Sequence, residues 1–495
     1  MELPTTMLAL VDHYSEQFRQ SFVNMFENTV NFNPEQCSAQ TISEITGLLA
    51  KSSKEASRGA LESFLQNCER SSPPRDRSKD AVVYRYNRTS QKSFLTLFGR
   101  ITLDRHLYYP ADDSVKKKAY CPFDDAWEMS ERFATPEVVE PILMASASMD
   151  PQEIKALLDK LGAFSLSKEA IYDIRTDEGT RIHEWVQTHE GLQTRLEAVD
   201  TPEGTEALVV GMDGVNLALR EAGTKRGRPP ERPKNELEPT KPKQSCFKNA
   251  MIGSFSHYGT TEVIDIKTGQ PRTETVRLNS CYIAQMPQER FGDFKKEFES
   301  TLDHLELQLP KTITKMLLLD GGRPLWGYLA DQEERFADYE KLLDYFHTTE
   351  HLSLASEALF GKKSKAGLHW YRKWCTKLKA EEWAVDGLIR SLEYYRRNRK
   401  LGKASSKVYE QQLGFFKRNR QWMNYANFLN RNLPIGSGPT EAACKTIVKE
   451  RMCRSGMRWT RSKGKSVLTL RAIHKSKQWD QTWNEYRRQC WNKAA

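Results

Sequence analysis

Two short apolar runs that end in an aspartate restrict the fold of this 495-residue chain more than any other feature. Residues 206–216 read E-A-L-V-V-G-M-D-G-V-N, and the run 313–319 leads directly into Asp320, Gly321 and Gly322. A short apolar run bounded by glycine has the pattern of a buried strand, where a carboxylate is out of place without a partner. Asp213 and Asp320 each precede a glycine, so a turn aspartate is the plain alternative at both positions. Strand-like sequence recurs at 249–257, 261–265 and 279–285, followed by a helix carrying Phe291, Phe294 and Phe298 and another at 324–331. Residues 336–347 read as a strand or buried segment. This order predicts an α/β sheet with helices on its faces.

Two carboxylates side by side on central strands repel unless a cation neutralises them. Mg²⁺ takes oxygen ligands and keeps positions open for water or phosphate. A third acid on a helix would complete such a site. Glu441 is the candidate, because G-S-G-P-T-E-A-A-C-K opens a helix after 436–439 with few acidic competitors nearby. A first-turn glutamate also suits the helix macrodipole with no further role. Two metals held by three acids clamp the attacking and leaving oxygens of an in-line phosphoryl displacement. The chemistry expected is phosphodiester cleavage or transfer, with Asp213, Asp320 and Glu441 as catalytic and metal-binding residues.

The charge distribution points to a polyanion as partner. Residues 441–495 hold 14 Lys plus Arg against 4 Asp plus Glu, which accounts for the whole net charge of +10. A basic concentration of this kind is a footprint for nucleic acid, and a solvated basic surface is its bland counterpart. With 38% hydrophobic and 28% charged residues, the chain is too apolar for general disorder. No stretch approaches the roughly 20 apolar residues of a membrane helix, and residues 1–11 lack a secretory signal. A cytoplasmic, nucleoid-associated protein without membrane contact is expected. Its nine cysteines form no C-x-x-C pair or tight Cys/His cluster, which argues against zinc fingers and disulfide scaffolds.

About 150 residues per domain gives three domains as a starting expectation. Residues 1–75 read as a helical arm, with Leu10, Phe18, Phe22, Met25 and Phe26 at helical spacing and a break at 71–78. Alternation from 82 to 109 around Gly99 predicts a β-hairpin. Helical periodicity returns over 136–185, with 165–167 as a cap, in an order open to a helix-turn-helix-like reader or a simple packing unit. The expected division is 1–75 arm, 80–200 DNA-end-binding region, 205–348 first part of the core, 349–432 helical insertion, and 433–495 second part of the core with basic helices. Within the core, 222–247 is a basic, proline-rich loop that cannot bury apolar surface and is expected to be disordered.

The block G-S-G-P-T-E-A-A-C-K-T-I-V-K-E-R-M-C-R-S-G-M-R-W-T at 436–460 resembles the signature of bacterial insertion-sequence DDE transposases of the ISKra type. The resemblance extends over about 208–483. It implies a ribonuclease-H-like core with its first Asp on the first strand, matched by V-V-G-M-D-G-V at Asp213, and its second after the fourth strand, matched by M-L-L-L-D-G-G at Asp320. The late-helix Glu is matched by Glu441. D-Y-F-H at 344–347 is similar to a "Cys or Asp, two residues, His" motif of transposases with a helical insertion, making Asp344 and His347 accessory candidates. The resemblance further implies binding of terminal inverted repeats, hydrolysis at an element end and attack of the freed 3′-OH on target DNA. Two Mg²⁺ ions per site, with Mn²⁺ able to substitute, double-stranded DNA as partner, and a homodimer or larger synaptic assembly belong to the same implication.

Lys445, Lys449, Arg451, Arg454 and Arg458 in the block are candidate DNA contacts, as are Arg226 and Arg228 in an R-G-R-P resembling the core of an AT-hook. Lys445 and His347 each have a structural alternative, as a solvated surface lysine and a satisfied core histidine. Y-Y-R-R-N-R-K at 394–400 and F-F-K-R-N-R-Q-W at 415–422 suit either base stacking or core packing. Two rival readings stay open: a catalytically silent, transposase-derived DNA-binding protein, and a ribonuclease-H-like nuclease without strand transfer.

Overall fold

The computed structural model describes residues 12, 15–16, 19–20, 23, 38–69, 72–112, 119–162, 164–220, 247–266, 269–288, 291–310 and 312–491. Leu10, Phe18, Phe22, Met25 and Phe26 lie outside the described residues, as do Arg226 and Arg228. Residue 247, grouped with the basic loop on composition, instead opens a strand. Contacts divide the chain into two units, 1–179 with 483–495, and 180–482. The division precedes the 200–205 boundary expected from sequence because the His189–Glu197 helix is tied into the second unit by the buried Arg195–Glu297 ion pair at 2.8 Å. Residues 483–495, assigned to the core on sequence, fall in the first unit, where the Tyr486 hydroxyl donates to Glu178 at 2.9 Å.

In the first unit β1 (Asp76–Lys79), β2 (Val82–Thr96) and β3 (Gly99–Pro110) form an antiparallel sheet in that order. The β2–β3 turn needs a positive φ, which Gly99 supplies at 115°. The proline-serine break at 71–78 thus runs into a short strand that composition does not reveal. Helix Ala39–Cys68 begins at a Ser38–Thr41 capping box. Its Glu62 and Gln66 side chains accept from the Thr102 and Asp104 amides of edge strand β3 at 2.7 and 2.8 Å. Those bonds occupy edge amides that would otherwise be open to another chain.

The second unit is built on a five-stranded sheet in the order β6-β5-β4-β7-β8, comprising β4 (Ala207–Ala218), β5 (Phe247–Ile264), β6 (Pro271–Gln285), β7 (Thr314–Leu319) and β8 (Glu340–Leu343). The first three pair antiparallel, and β4–β7 and β7–β8 pair parallel. This mixed order, with helices Gly292–Gln308 and Arg323–Asp331 in the connections, is compatible with a ribonuclease-H-like fold. β7 is T-K-M-L-L-L with its last four residues buried, as expected of a central parallel strand. The two runs 249–257 and 261–265 prove to be one long strand, with a register shift at His257/Tyr258 that breaks the alternation. Residues 336–347 hold only a four-residue strand, because the Asp344 side chain accepts the His347 amide and starts helix Tyr345–Phe360. That helix and Lys365–Ala380, Ala384–Asn398, Lys403–Asn419 and Tyr425–Asn430 make an all-helical stretch between β8 and helix Gly438–Ala443. Among the described residues no helix is long and apolar enough to cross a membrane, and all seven cysteines are free thiols.

Helix Gly438–Ala443 packs directly on the sheet. A Cβ at Gly211 in β4 would stand 2.1 Å from Thr440 Oγ1 and 2.9 Å from Ser254 Oγ, two hydroxyls that bond each other at 2.6 Å. Gly211→Ala should therefore cost about 1–3 kcal/mol in urea unfolding. Adding Thr440→Ala, which removes the clashing oxygen, should restore part of the loss. Equal stability of Gly211→Ala and wild type would contradict this packing.

Candidate active site

Strand register brings the two aspartates together. β4 and β7 pair from Ala207↔Thr314 to Val210↔Leu317, with Asp213 three residues beyond the last pair on β4 and Asp320 three residues beyond it, just past the end of β7. Side chains two apart share a strand face, so Asp213 points to the face on which Gly211 meets Thr440. Cys444, beyond the end of that helix, donates its thiol to Asp213 Oδ2 at 3.3 Å, and the Gly214 amide donates to Oδ1 at 2.6 Å. Burial raises the Asp213 pKa above the usual carboxylate range, and the Asp320 charge pushes it the same way. The Cys444 thiol, the Gly214 amide and the Lys449 charge oppose that rise. Burial, reinforced by the Asp213 charge, pushes the Cys444 thiol well above its ordinary range, so it remains a donor.

Asp320 is held from its backbone. Its carbonyl accepts the Trp326 indole N–H at 2.7 Å, and Trp326 stacks on Trp422 with centroids 3.9 Å apart. Its Oδ1 accepts the Gly322 amide at 3.0 Å. Gly321 lies against Phe415, whose Cε2 would be 2.7 Å from an added Cβ, with His347 Cδ2 at 3.7 Å. His347 therefore borders the Asp320 loop, with Nδ1 3.6 Å from Glu350. Asp344 is fully buried and accepts the His347 and Ser437 amides at 2.6 and 2.5 Å, while its own amide donates to the Leu319 carbonyl at 2.8 Å. It fastens the end of β7 to the segment that starts the Glu441 helix.

Glu441 is exposed and accepts the Ser437 hydroxyl at 3.3 Å. Among the described residues no group of three His, Cys, Asp or Glu lies close enough to hold a metal ion. The structure thus couples Asp213 with Asp320 and leaves Glu441 on the neighbouring helix. As a donor set, the two aspartates fit a hard divalent cation, since each engaged carboxylate oxygen retains a further lone pair. They do not by themselves make a complete cage.

Lys445, Lys449, Arg454 and Arg458 are exposed. Arg451 is not a surface contact as expected: it is 1% exposed, with its guanidinium 5.5 Å from the Trp459 ring centroid. Two residues beyond Lys449 lies about 200° round a helix, which turns Arg451 inward. Of the two aromatic-basic clusters, Phe415 and Phe416 are buried and Tyr395 packs on Phe360 at 4.9 Å, leaving Tyr394 exposed. The sequence reading gave no role to Cys444 or Trp326, and Trp422 stood in the 415–422 cluster left open between base stacking and core packing. The i, i+3 spacing of Glu441 and Cys444 on one helix is the one sequence signal that could have drawn Cys444 to the site.

The sequence matches no protein-family model and no curated protein. Among solved structures the chain is similar to one from a "Drosophila P element transposase strand transfer complex", with a TM-score of 0.19 and 10% identity, over 73% of this chain and 81% of that one. A likeness of that size establishes no shared fold, which rests here on strand order and direction.

Because the Asp213 pKa is higher in the folded chain than in the unfolded one, ionising it costs folded-state stability. Its favourable contribution is complete below the unfolded pKa of about 3.9 and is lost as pH rises through the folded pKa. Asp213→Asn should therefore unfold at higher urea than wild type at neutral pH in chelator, by about 0.5–2 kcal/mol, with the gap closing toward pH 4. A variant less stable than wild type at neutral pH would refute the burial cost assigned to this carboxylate.

Proposed function

We propose that this chain is a DNA transposase of the DDE type, encoded by a bacterial insertion sequence. The observation that carries the reading is the placement of Asp213 in β4 and Asp320 just after the parallel neighbour strand β7, near enough for the Asp320 charge to push the Asp213 pKa upward. Such a pair is costly to stability and has a purpose when a divalent cation sits between the carboxylates. Asp213 and Asp320 would hold Mg²⁺, or Mn²⁺ in its place, with Glu441 from the adjacent helix as third ligand of a two-ion site. Bound there, the ions supply Lewis-acid polarisation of a scissile phosphodiester.

The chain's own residues supply the rest. Trp326 and the Gly322 amide keep Asp320 oriented, and the Cys444 thiol and Gly214 amide do the same for Asp213. Lys445 and Lys449 are exposed four residues apart on the Glu441 helix and face solvent as phosphate contacts, together with Arg454 and Arg458. Hydrolysis at an element end forms a P–O bond to the oxygen of water, breaks the P–O3′ bond and leaves a 5′-phosphate and a free 3′-OH. Attack by that hydroxyl on a target phosphodiester forms one P–O bond and breaks another, so two steps share one site. Cutting two terminal inverted repeats and joining them together calls for a homodimer or larger synaptic assembly on double-stranded DNA.

One observation favours a second reading. Glu441 stands outside any three-residue metal-binding group among the described residues, as suits a chain that binds DNA without cutting it. Incubating the full chain with Mg²⁺ and labelled duplexes bearing element ends separates the two. Wild type should nick and join, and Asp320→Ala should lose both products by about 1,000-fold or more, the scale of several kcal/mol of charge stabilisation, while still binding the duplex. Binding without any cleavage by wild type on paired ends would establish the silent reading, and nicking without joined products would establish a nuclease.

A further inference from the structure

Outside the acid pair, the second unit contains a cleft of about 760 Å³ whose charge is unevenly matched. Arg461 and Lys465 reach it from the first turns of the 15-residue helix Arg461–Lys475, and Lys296 reaches it from helix Gly292–Gln308. Among the described residues neither Lys296 nor Lys465 has an ion-pair partner, and Arg461 spends one donor on the Pro287 carbonyl at 2.6 Å, which leaves its other N–H groups available. Two acids also line the cleft. Asp293 is engaged by Gln288, whose amide donates to it at 2.7 Å and whose carbonyl oxygen accepts its backbone N–H at 3.0 Å. Glu184 is exposed. No side chain caps the start of helix Arg461–Lys475, so the positive end of its dipole and its first-turn amides add to the three cations.

We propose that this cleft holds a phosphodiester group of a DNA strand, bound by Arg461, Lys465 and Lys296. Arginine supplies the planar fork that matches two phosphate oxygens, and the lysines act as point charges beside it. A cleft of this volume has the size of a small-ligand site, so it admits a phosphate with its sugars while the rest of the duplex stays outside. The assignment of the phosphate to DNA rests on the transposase reading; the anion chemistry does not.

The test uses the full chain and the double variant Lys296→Gln/Lys465→Gln, with Lys296→Arg/Lys465→Arg as the charge-preserving control and thermal melts to compare folding. Affinity for a labelled duplex of random sequence is measured by anisotropy between about 50 and 200 mM KCl. Each neutralised phosphate contributes about 0.9 to the slope of log K against log salt, so with one phosphodiester in the cleft the Gln variant should be shallower by up to about 0.9 and the Arg variant unchanged. In parallel, inorganic pyrophosphate is titrated calorimetrically into wild type and both variants. A shallower slope with weaker pyrophosphate binding in the Gln variant is the expected result. Weaker pyrophosphate binding with an unchanged duplex slope would overturn DNA as the source and keep a site for a free phosphoanion. Wild-type behaviour of the Gln variant toward both probes would overturn the proposal. Asp320→Ala should keep the wild-type slope, so loss of nicking and loss of this contact are read separately.

Discussion

Parallel pairing of β4 with β7 is the constraint on which the rest of the second unit depends. The β4–β7 register brings the strand carrying Asp213 beside the strand that leads into Asp320, and a slip of one residue would turn either aspartate to the opposite face of the sheet. The register is in turn protected by burial, because Leu208, Val210, Met316 and Leu317 are all at or below 1% exposure and have nowhere else to go. Hydrophobic packing of the central strands thus pays for an electrostatic conflict at their ends. The conflict is tolerated where water or a cation can reach it, which is why both carboxylates are half-buried rather than sealed.

The all-helical stretch after β8 has a mechanical relation to that pair. Trp422 stacks on Trp326, which bonds the Asp320 carbonyl, and Phe415 fills the space that a side chain at Gly321 would take. Asp344 connects the other end: its carboxylate accepts the His347 and Ser437 amides, and its own amide donates to the Leu319 carbonyl. The helices between β8 and Gly438 therefore act on the Asp320 loop from two directions without presenting a carboxylate to it. In these contacts the aromatic residues of the 415–422 cluster serve packing.

The aspartates were legible in the sequence because a charged residue at the end of a buried run has few structural reasons to be there. The hairpin at 82–109 was legible from alternation, and the 165–167 cap is seen in the Ser167 hydroxyl accepting the Ala170 amide at 3.1 Å. Other features had no local signature. β1 is D-R-S-K, a strand held by pairing with β2 and by no apolar pattern of its own. The length of β5 was hidden by its register shift, and the place of residues 483–495 by contacts of Tyr486 far away in sequence. Counting charge over 441–495 gave the sign of the field and could not say which faces carry it, so Arg451 was grouped with residues that are on the surface.

The helix carrying Glu441 departs from α geometry where it passes Asp213. Residues Cys444–Lys449 form a π turn, closed by the Glu450 amide on the Lys445 carbonyl. Five residues carry a regular α-helix about 140° past a full turn, whereas i→i+5 bonding brings residues five apart onto nearly one face. Cys444 and Lys449 are five apart, and both act on Asp213, one by a hydrogen bond and one by its charge. A π turn leaves backbone carbonyls poorly used, and the buried Arg471 donates its Nε to the Ile447 carbonyl at 2.6 Å. Burial pulls the Arg471 pKa down to about 10, so this guanidinium is still charged at neutral pH. The distortion costs regular helix hydrogen bonding and gives the Asp213 carboxylate a donor and a cation from a single turn. A regular helix could present one of the two to the acid pair and would turn the other away.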